Sequence, residues 1–331
     1  MSTLEFPSML EMDPETITLS DIDISHIDLW KQDKKWGFFK RLRDEAPVHY
    51  CKSSEYGPFW SITRFEDILE VERNWEIFSS YPRISIADPV EDSNFSAPTF
   101  IAMDPPKHDE QRKTVQGVVA PPNLKELEGT IRSRAGDILD DLPLNKTFDW
   151  VDRVSIELTT QMLATLFDFP YHDRRKLTRW SDVVFARLGE GIIESNEQRQ
   201  NELLECLEYF SKLWKEREKD PTGNDFVSMM IRGDATRNLS PQEYLGNILL
   251  LIVGGNDTTR NSISGGVLAL NQHPKEYQKL RENAALIPNM VSEIIRWVTP
   301  LAHMRRTVTK DFEFRGQLMK AGEKVIMWYA S

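Results

Sequence analysis

Apolar residues recur along this chain at two spacings, and the change from one to the other marks out three stretches. In residues 1–100 short helical and strand-like patterns alternate. Trp30 to Glu45 reads as a helix, Val48–Cys51 and Phe59–Ile62 as strands, and Phe65 to Ile77 as a second helix, a mixed α+β region. Five prolines between Ser79 and Pro106 leave no lasting period, which predicts a long surface loop of the kind that is usually functional or mobile. Over residues 101–305 helical spacing dominates. Leu124, Leu127, Ile131, Ala135, Ile138 and Leu142 form one stripe after Pro121-Pro122, and Val151, Val154, Leu158, Met162 and Leu166 form another within Trp150 to Phe167. The charged run Glu194 to Lys219 predicts one or two solvated helices. Residues 306–331 return to strands, at Phe312–Phe314 and Val325–Tyr329. No repeat and no Gly/Ser linker separates these stretches, so the expectation is one domain, mainly α with small β-sheets. Only Ala330 and Ser331 follow the last apolar strand. The pattern therefore predicts an incomplete chain whose final strand is unpaired and favours aggregation.

Composition narrows the class. With 331 residues, 40% apolar and 28% charged, the chain is long enough for a full core and has the make-up of a globular protein. A net charge of −11 disfavours nucleic acid and anionic lipid as partners. The N-terminus lacks a basic flank and an apolar core, and the run Ile248 to Val253 is too short to cross a bilayer, so a cytoplasmic location without a transmembrane segment is expected. Cys51 and Cys206 are the only cysteines; there is no CxxC, HExxH, GxGxxG or GxxxxGK[ST].

Three segments carry residues out of place in a plain helix. Gly254-Gly255-Asn256-Asp257-Thr258-Thr259-Arg260 interrupts the apolar span Tyr244 to Leu270. Two glycines cost about 1 kcal/mol each inside a helix, and Asp and Thr compete for its backbone hydrogen bonds. One reading is two helices, closed by Gly254-Gly255 and capped by Asn256 or Asp257. The other is one helix opened locally to admit a flat ligand, with an acid–alcohol pair that passes protons to it. Glu293 and Arg296 lie opposite the stripe Val291, Ile294, Ile295 and Val298 on a helix begun by Pro288, where period alone makes them an exposed ion pair. His108 and Arg112 follow Pro105-Pro106 one turn apart, two donors suited to a carboxylate or to solvent.

Taken together, these segments resemble the cytochrome P450 haem-thiolate monooxygenases. Gly254-Gly255-Asn256-Asp257-Thr258-Thr259 is similar to the family's oxygen-activating motif, Glu293-Ile294-Ile295-Arg296 to its ExxR pair, and His108 with Arg112 to its haem-propionate contacts, with Arg306 matching a further one. The wording GGNDTTRNS, WVDRVSIELTTQMLATLFDFP and MDPPKHDEQR is closer to the bacterial terminal alkane and fatty-acid hydroxylases. The resemblance implies haem b (iron protoporphyrin IX), O2, a small aliphatic substrate oxidised at its end methyl, and electrons from NADH through a ferredoxin reductase and a ferredoxin. It implies Asp257 and Thr258 as catalytic, Gly254 and Gly255 leaving room above the iron, and Glu293 and Arg296 as structural and less exposed than their period suggests. Leu250, Leu251 and Phe100 are expected at the substrate, and Lys107, Arg112 and Lys113 toward an acidic ferredoxin.

The family's iron is ligated by a cysteine in a Gly-rich loop, which neither Cys51 nor Cys206 resembles. The axial ligand is therefore expected beyond Ser331, and no metal ligand within this chain. Two other classes remain open at this point: a non-catalytic helical binding protein, and a hydrolase using His303 or His108. The 331-residue polypeptide alone is expected to bind haem weakly and to lack hydroxylase activity. A thiolate-type Soret band in the reduced, carbon monoxide-treated protein would contradict this.

Overall fold

The computed structural model describes residues 9–88 and 97–331; positions 89–96 of the expected loop lie outside the described residues. The chain forms two compact units. Of the described residues, one holds 9–88, 101–104 and 301–331, and the other holds 97–100 and 105–300. Residues 9–88 and the last thirty, which lie in separate stretches of the sequence pattern, thus fold together.

In the first unit, α1 (Ile27–Lys31) and α2 (Trp36–Glu45) replace the single helix expected from Trp30. Asp33 between them takes a left-handed φ of 57°, which no helix can carry through. Strands β1 (Val48–Cys51) and β2 (Phe59–Ile62) stand where the sequence placed them. Helix α3 (Phe65–Arg73) stops short of Ile77, because Asn74 leaves helical geometry. β3 (Phe78–Ser79), β4 (Met304–Val308), β5 (Phe312–Phe314), β6 (Gln317–Met319) and β7 (Lys324–Met327) complete the strands.

The final strand is not unpaired. β7 lies at the centre of a five-stranded sheet ordered β1-β2-β7-β4-β3, parallel to β2 and antiparallel to β4. A central strand is buried on both faces, which explains its continuous apolar run. Val325 and Met327 join Trp60, Ile62 and Phe78 on one face, and Ile326 joins Phe39 and Phe59 on the other. Trp328 extends the second cluster, with Trp30 stacked on it at 5.7 Å and the His303 ring at 5.1 Å. β5 and β6 form a separate hairpin whose two turn residues, Arg315 and Gly316, both have positive φ, as a tight hairpin turn requires. Arg315 then reaches Asp67 and Glu70 of α3.

The second unit is helical: α4 (Lys107–Gln116), α5 (Pro121–Asp140), α6 (Glu157–Leu166), α7 (Arg175–Phe185), α8 (Asn196–Arg217), α9 (Phe226–Arg232), α10 (Pro241–Gln272), α11 (Pro274–Glu282) and α12 (Ile287–Val298). Of the one or two solvated helices expected here, a single one forms as α8, and it is not solvated all round. Leu203, Cys206, Phe210 and Leu213 bury its inner stripe, and Phe210 meets Phe167, Phe169 and Trp180. A wider π-turn at Val151–Ile156 precedes α6 and rotates the buried face away from the expected Val151–Leu166 stripe. Val154 of that stripe stays buried, but Ser155, Thr159, Leu163 and Ala164 face inward with it, and Val151 is exposed.

α10 is a single helix of 32 residues, so the two-helix reading of Gly254-Gly255 is not what forms. It starts in a capping box, with the Ser240 and Glu243 side chains each bonded to the other's backbone N–H and Pro241 in the first turn. Close packing explains why its glycines are tolerated. A Cβ at Gly255 would lie 2.6 Å from Leu163 Cδ2 of α6, and at Gly266 2.8 Å from Ile294 Cδ1 of α12. A Cβ at Gly254 would meet no atom within 4 Å.

Gly255→Ala should therefore destabilise the protein by about 1–3 kcal/mol through overpacking against Leu163. Gly254→Ala should be neutral or stabilising by up to about 1 kcal/mol. Denaturant titration checks both, and equal effects would contradict the packing. In the first unit, burial pushes His303 down to about 4. The unfolded chain binds that proton near 6.5, so stability should fall as pH drops from about 6.5 to 4, by about 3 kcal/mol in all. His303→Leu should flatten that part of the stability–pH curve.

Candidate functional site

The sides of α10 differ in what covers them. Leu245, Ile248, Leu249, Ile252 and Asn256 are buried, whereas Leu250 and Leu251 are half-buried and Gly254 is exposed. With 100° per residue, Leu251, Gly254 and Thr258 fall on one stripe. It is the less covered side of a helix whose buried residues lie mainly between Tyr244 and Asn256.

The buried side carries a polar seam. Thr159 Oγ1 donates to Asn256 Oδ1 at 2.9 Å, and Ser264 Oγ donates to Ser155 Oγ at 2.8 Å. Ser155 lies in the π-turn, so the turn places hydroxyls opposite α10 where the regular stripe would have placed valine. Asn256 Nδ2 is buried without a partner. Such hydrogen bonds run only in particular directions, so the seam fixes the rotation of α10 where apolar contact alone would tolerate sliding.

Asp257 leaves the seam and meets Arg260. Its Oδ1 accepts from Arg260 Nη2 at 2.5 Å, its Oδ2 from Asn261 Nδ2 at 3.3 Å, and Arg260 Nη1 donates to Asp182 Oδ1 of α7 at 2.9 Å. Burial works against the Arg260 charge, but the two carboxylates outweigh it and raise the guanidinium pKa. Thr258 Oγ1 donates to the Gly254 carbonyl at 3.2 Å, closing onto its own helix. Asp182 is 78 residues from Arg260, and nothing in the sequence announced it as a partner.

On α4, His108 and Arg112 do lie one turn apart. His108 Nδ1 is 2.8 Å from the Phe100 carbonyl. A carbonyl only accepts, so Nδ1 carries the hydrogen and Nε2 is the nitrogen left for another partner. Arg112 is exposed. Lys107 is already paired with Glu243 of α10 at 2.9 Å, which leaves Arg112 and Lys113 as the outward positive charges at this end of α4. Phe100 is only 8% exposed, its ring 6.0 Å from that of His108. In the first unit, Arg306 Nη1 donates to the Arg305 carbonyl at 3.0 Å.

The Glu293–Arg296 pair forms bidentately at 2.6 and 2.7 Å, but both side chains are exposed. In this chain the pair thus lies where the helical period predicts it. Ile294 and Val298 pack on Gly266 and Gly265, while Val291 and Ile295 of the same stripe stay exposed. A groove of about 400 Å³ runs between the end of α10, α11 and α12, past His273 and Trp297. It lies about 24 Å along α10 from Gly254, too far to serve the acid–alcohol pair.

Neither cysteine is arranged to ligate a metal. Burial with nearby Asp23 pushes the Cys51 thiol up to about 12, and burial with Glu205 raises that of Cys206. Among the described residues no cluster of His, Cys, Asp or Glu could hold a metal ion, and no helix is long and apolar enough to cross a membrane. His303 is half-buried, its ring 5.1 Å from that of Trp328.

Comparison with known proteins gives these elements a family. The cytochrome P450 model matches residues 133–331. Linalool 8-monooxygenase of Pseudomonas putida is 32% identical over 93% of this chain and 78% of its own length. A methyl-branched lipid omega-hydroxylase of Mycobacterium bovis is 29% identical over 96% and 77%. Among solved structures, cytochrome P450-153 from Novosphingobium aromaticivorans superposes with a TM-score of 0.86 at 45% identity, covering 93% of this chain and 78% of that one. On this evidence the chain belongs to the cytochrome P450 family.

Proposed function

We propose that this protein is a haem-dependent monooxygenase that hydroxylates aliphatic chains, at the terminal carbon of medium-chain alkanes or related lipids, with O2 and electrons delivered from NADH by a ferredoxin reductase and a ferredoxin. The observation that carries the reading is the less covered stripe of α10, with half-buried Leu251 and Thr258 aligned on exposed Gly254 and Asp257 one residue away. The names of its relatives support the substrate class: linalool and a methyl-branched lipid are both aliphatic.

The residues present fit such a group on one side and not on the other. Gly254 has room for a flat ligand, and His108 Nε2 and Arg112 are donors suited to propionates; in the first unit, Arg306 is a donor of the same kind. Cys51 and Cys206, buried with raised pKa, do not fit the axial thiolate position. Haem iron, when bound, supplies the oxygen chemistry.

The chain's own residues handle protons. The Thr258 hydroxyl turns from the Gly254 carbonyl to a ligand oxygen, and Asp257 carries protons inward once it releases Arg260. Asp182 remains as the guanidinium's partner, so the release leaves no buried charge unpaired. Leu250 and Leu251 give an apolar wall without charge, which suits an aliphatic ligand. Arg112 and Lys113 present positive charge to an acidic electron donor.

In the haem-loaded enzyme, Thr258→Ala should keep substrate binding and divert reducing equivalents to peroxide, whereas Asp257→Asn should slow turnover. Product and peroxide formed per NADH are the measurement, and an unchanged ratio in the Thr258 variant would remove the assignment. Octane should shift the haem spin state and a hydrophilic sugar should not. The reverse pattern would exclude the apolar wall.

A further inference from the structure

The stripe defined by Leu251, Gly254 and Thr258 continues one turn further back to Asn247, all four residues falling within about 60° of arc. There it is covered. Asn247 is 1% exposed; its Oδ1 accepts from the Phe100 backbone N–H at 2.9 Å, and its Nδ2 donates to Gln111 Oε1 of α4, itself 1% exposed, at 2.9 Å. The Phe100 carbonyl is taken by His108 Nδ1 at 2.8 Å. Side chains from two helices thus hold both backbone polar groups of one loop residue. Next to Asn247, Gly246 lets the loop lie directly on the helix, since a Cβ there would run into the Pro98 carbonyl and approach that of Ala97 to 2.7 Å. Those are backbone atoms and cannot rotate aside.

We propose that Gly246 and Asn247 are positioning residues that latch segment 97–100 onto α10, making Phe100 the end wall of the open stripe and a determinant of which aliphatic shapes it accepts. Seven residues separate Asn247 from Gly254, so the latched loop stands about 10 Å along the helix from the exposed glycine. An acceptor, a donor and a side-chain-free contact are all needed at adjacent positions, and Gly246-Asn247 supplies them. The latch follows from the geometry alone; its effect on specificity rests on the function proposed above.

Two readouts separate the claims. Amide exchange at Phe100 should be slow in the native protein and faster by about tenfold or more in Asn247→Leu and in Gly246→Ala, which leaves the Asn247–Gln111 pair in place. In the haem-loaded enzyme, optical titration with octane and with 2-methylheptane gives a dissociation-constant ratio. Both variants should change it by about tenfold, and Phe100→Ala should move it in the same direction. Slow Phe100 exchange in both latch variants would overturn the latch. Fast exchange with an unchanged ratio, or a ratio that Phe100→Ala does not move, would overturn its role in specificity. If the native enzyme binds neither alkane, the aliphatic reading fails and its specificity role with it, while the exchange data still decide the latch.

Discussion

One side of α10 must be held rigidly while another stays uncovered, and much of the second unit is arranged around that requirement. A helix of this apolar character gains its stability by burial, so an uncovered stripe has to be offset by firm packing elsewhere. α6, the π-turn, α7 and α12 supply it, with Gly255 and Gly266 allowing two of these partners to approach closely. The hydroxyl–amide seam of Ser155, Thr159, Asn256 and Ser264 then fixes the rotation. A helix turned by one residue would carry Gly254 inward and put Gly255 where the open stripe is.

The two adjacent glycines accordingly have different tasks. Gly255 serves the packing of α6, and Gly254 serves the uncovered stripe. The same division runs through the polar residues: Asn256 faces the core, Asp257 is clamped at the edge through Arg260, and Thr258 stands over the open side. Chemistry confined to five successive residues is distributed over three directions because each residue turns the helix by about 100°.

Much of the local structure was legible in the sequence because it depends on short-range period and breakers. β1, β2, the start of α12 near Pro288 and the placement of His108 with Arg112 follow from spacing alone. What was not legible depended on partners distant in the chain. Val325–Met327 looked unpaired because its neighbours, Phe59–Ile62, lie over 260 residues earlier. The π-turn at Val151 shifted a face by an insertion that leaves no mark in the spacing. Gly254-Gly255 looked like a helix end because the compensating contact, Leu163, is 92 residues away. Glu293 and Arg296 are exposed in this chain, as their period predicts.

The central claim is that Leu251 and Thr258 face the cofactor while Leu249 and Thr159 face the core. Methyl NMR of the haem-loaded ferric protein, with labelled leucine and threonine methyls, reads this directly, because the paramagnetic iron shifts and broadens nearby signals. The account predicts large paramagnetic effects at Thr258 and Leu251 and little at Thr159 and Leu249. Strong effects at Thr159 and Leu249, with Thr258 unaffected, would contradict it.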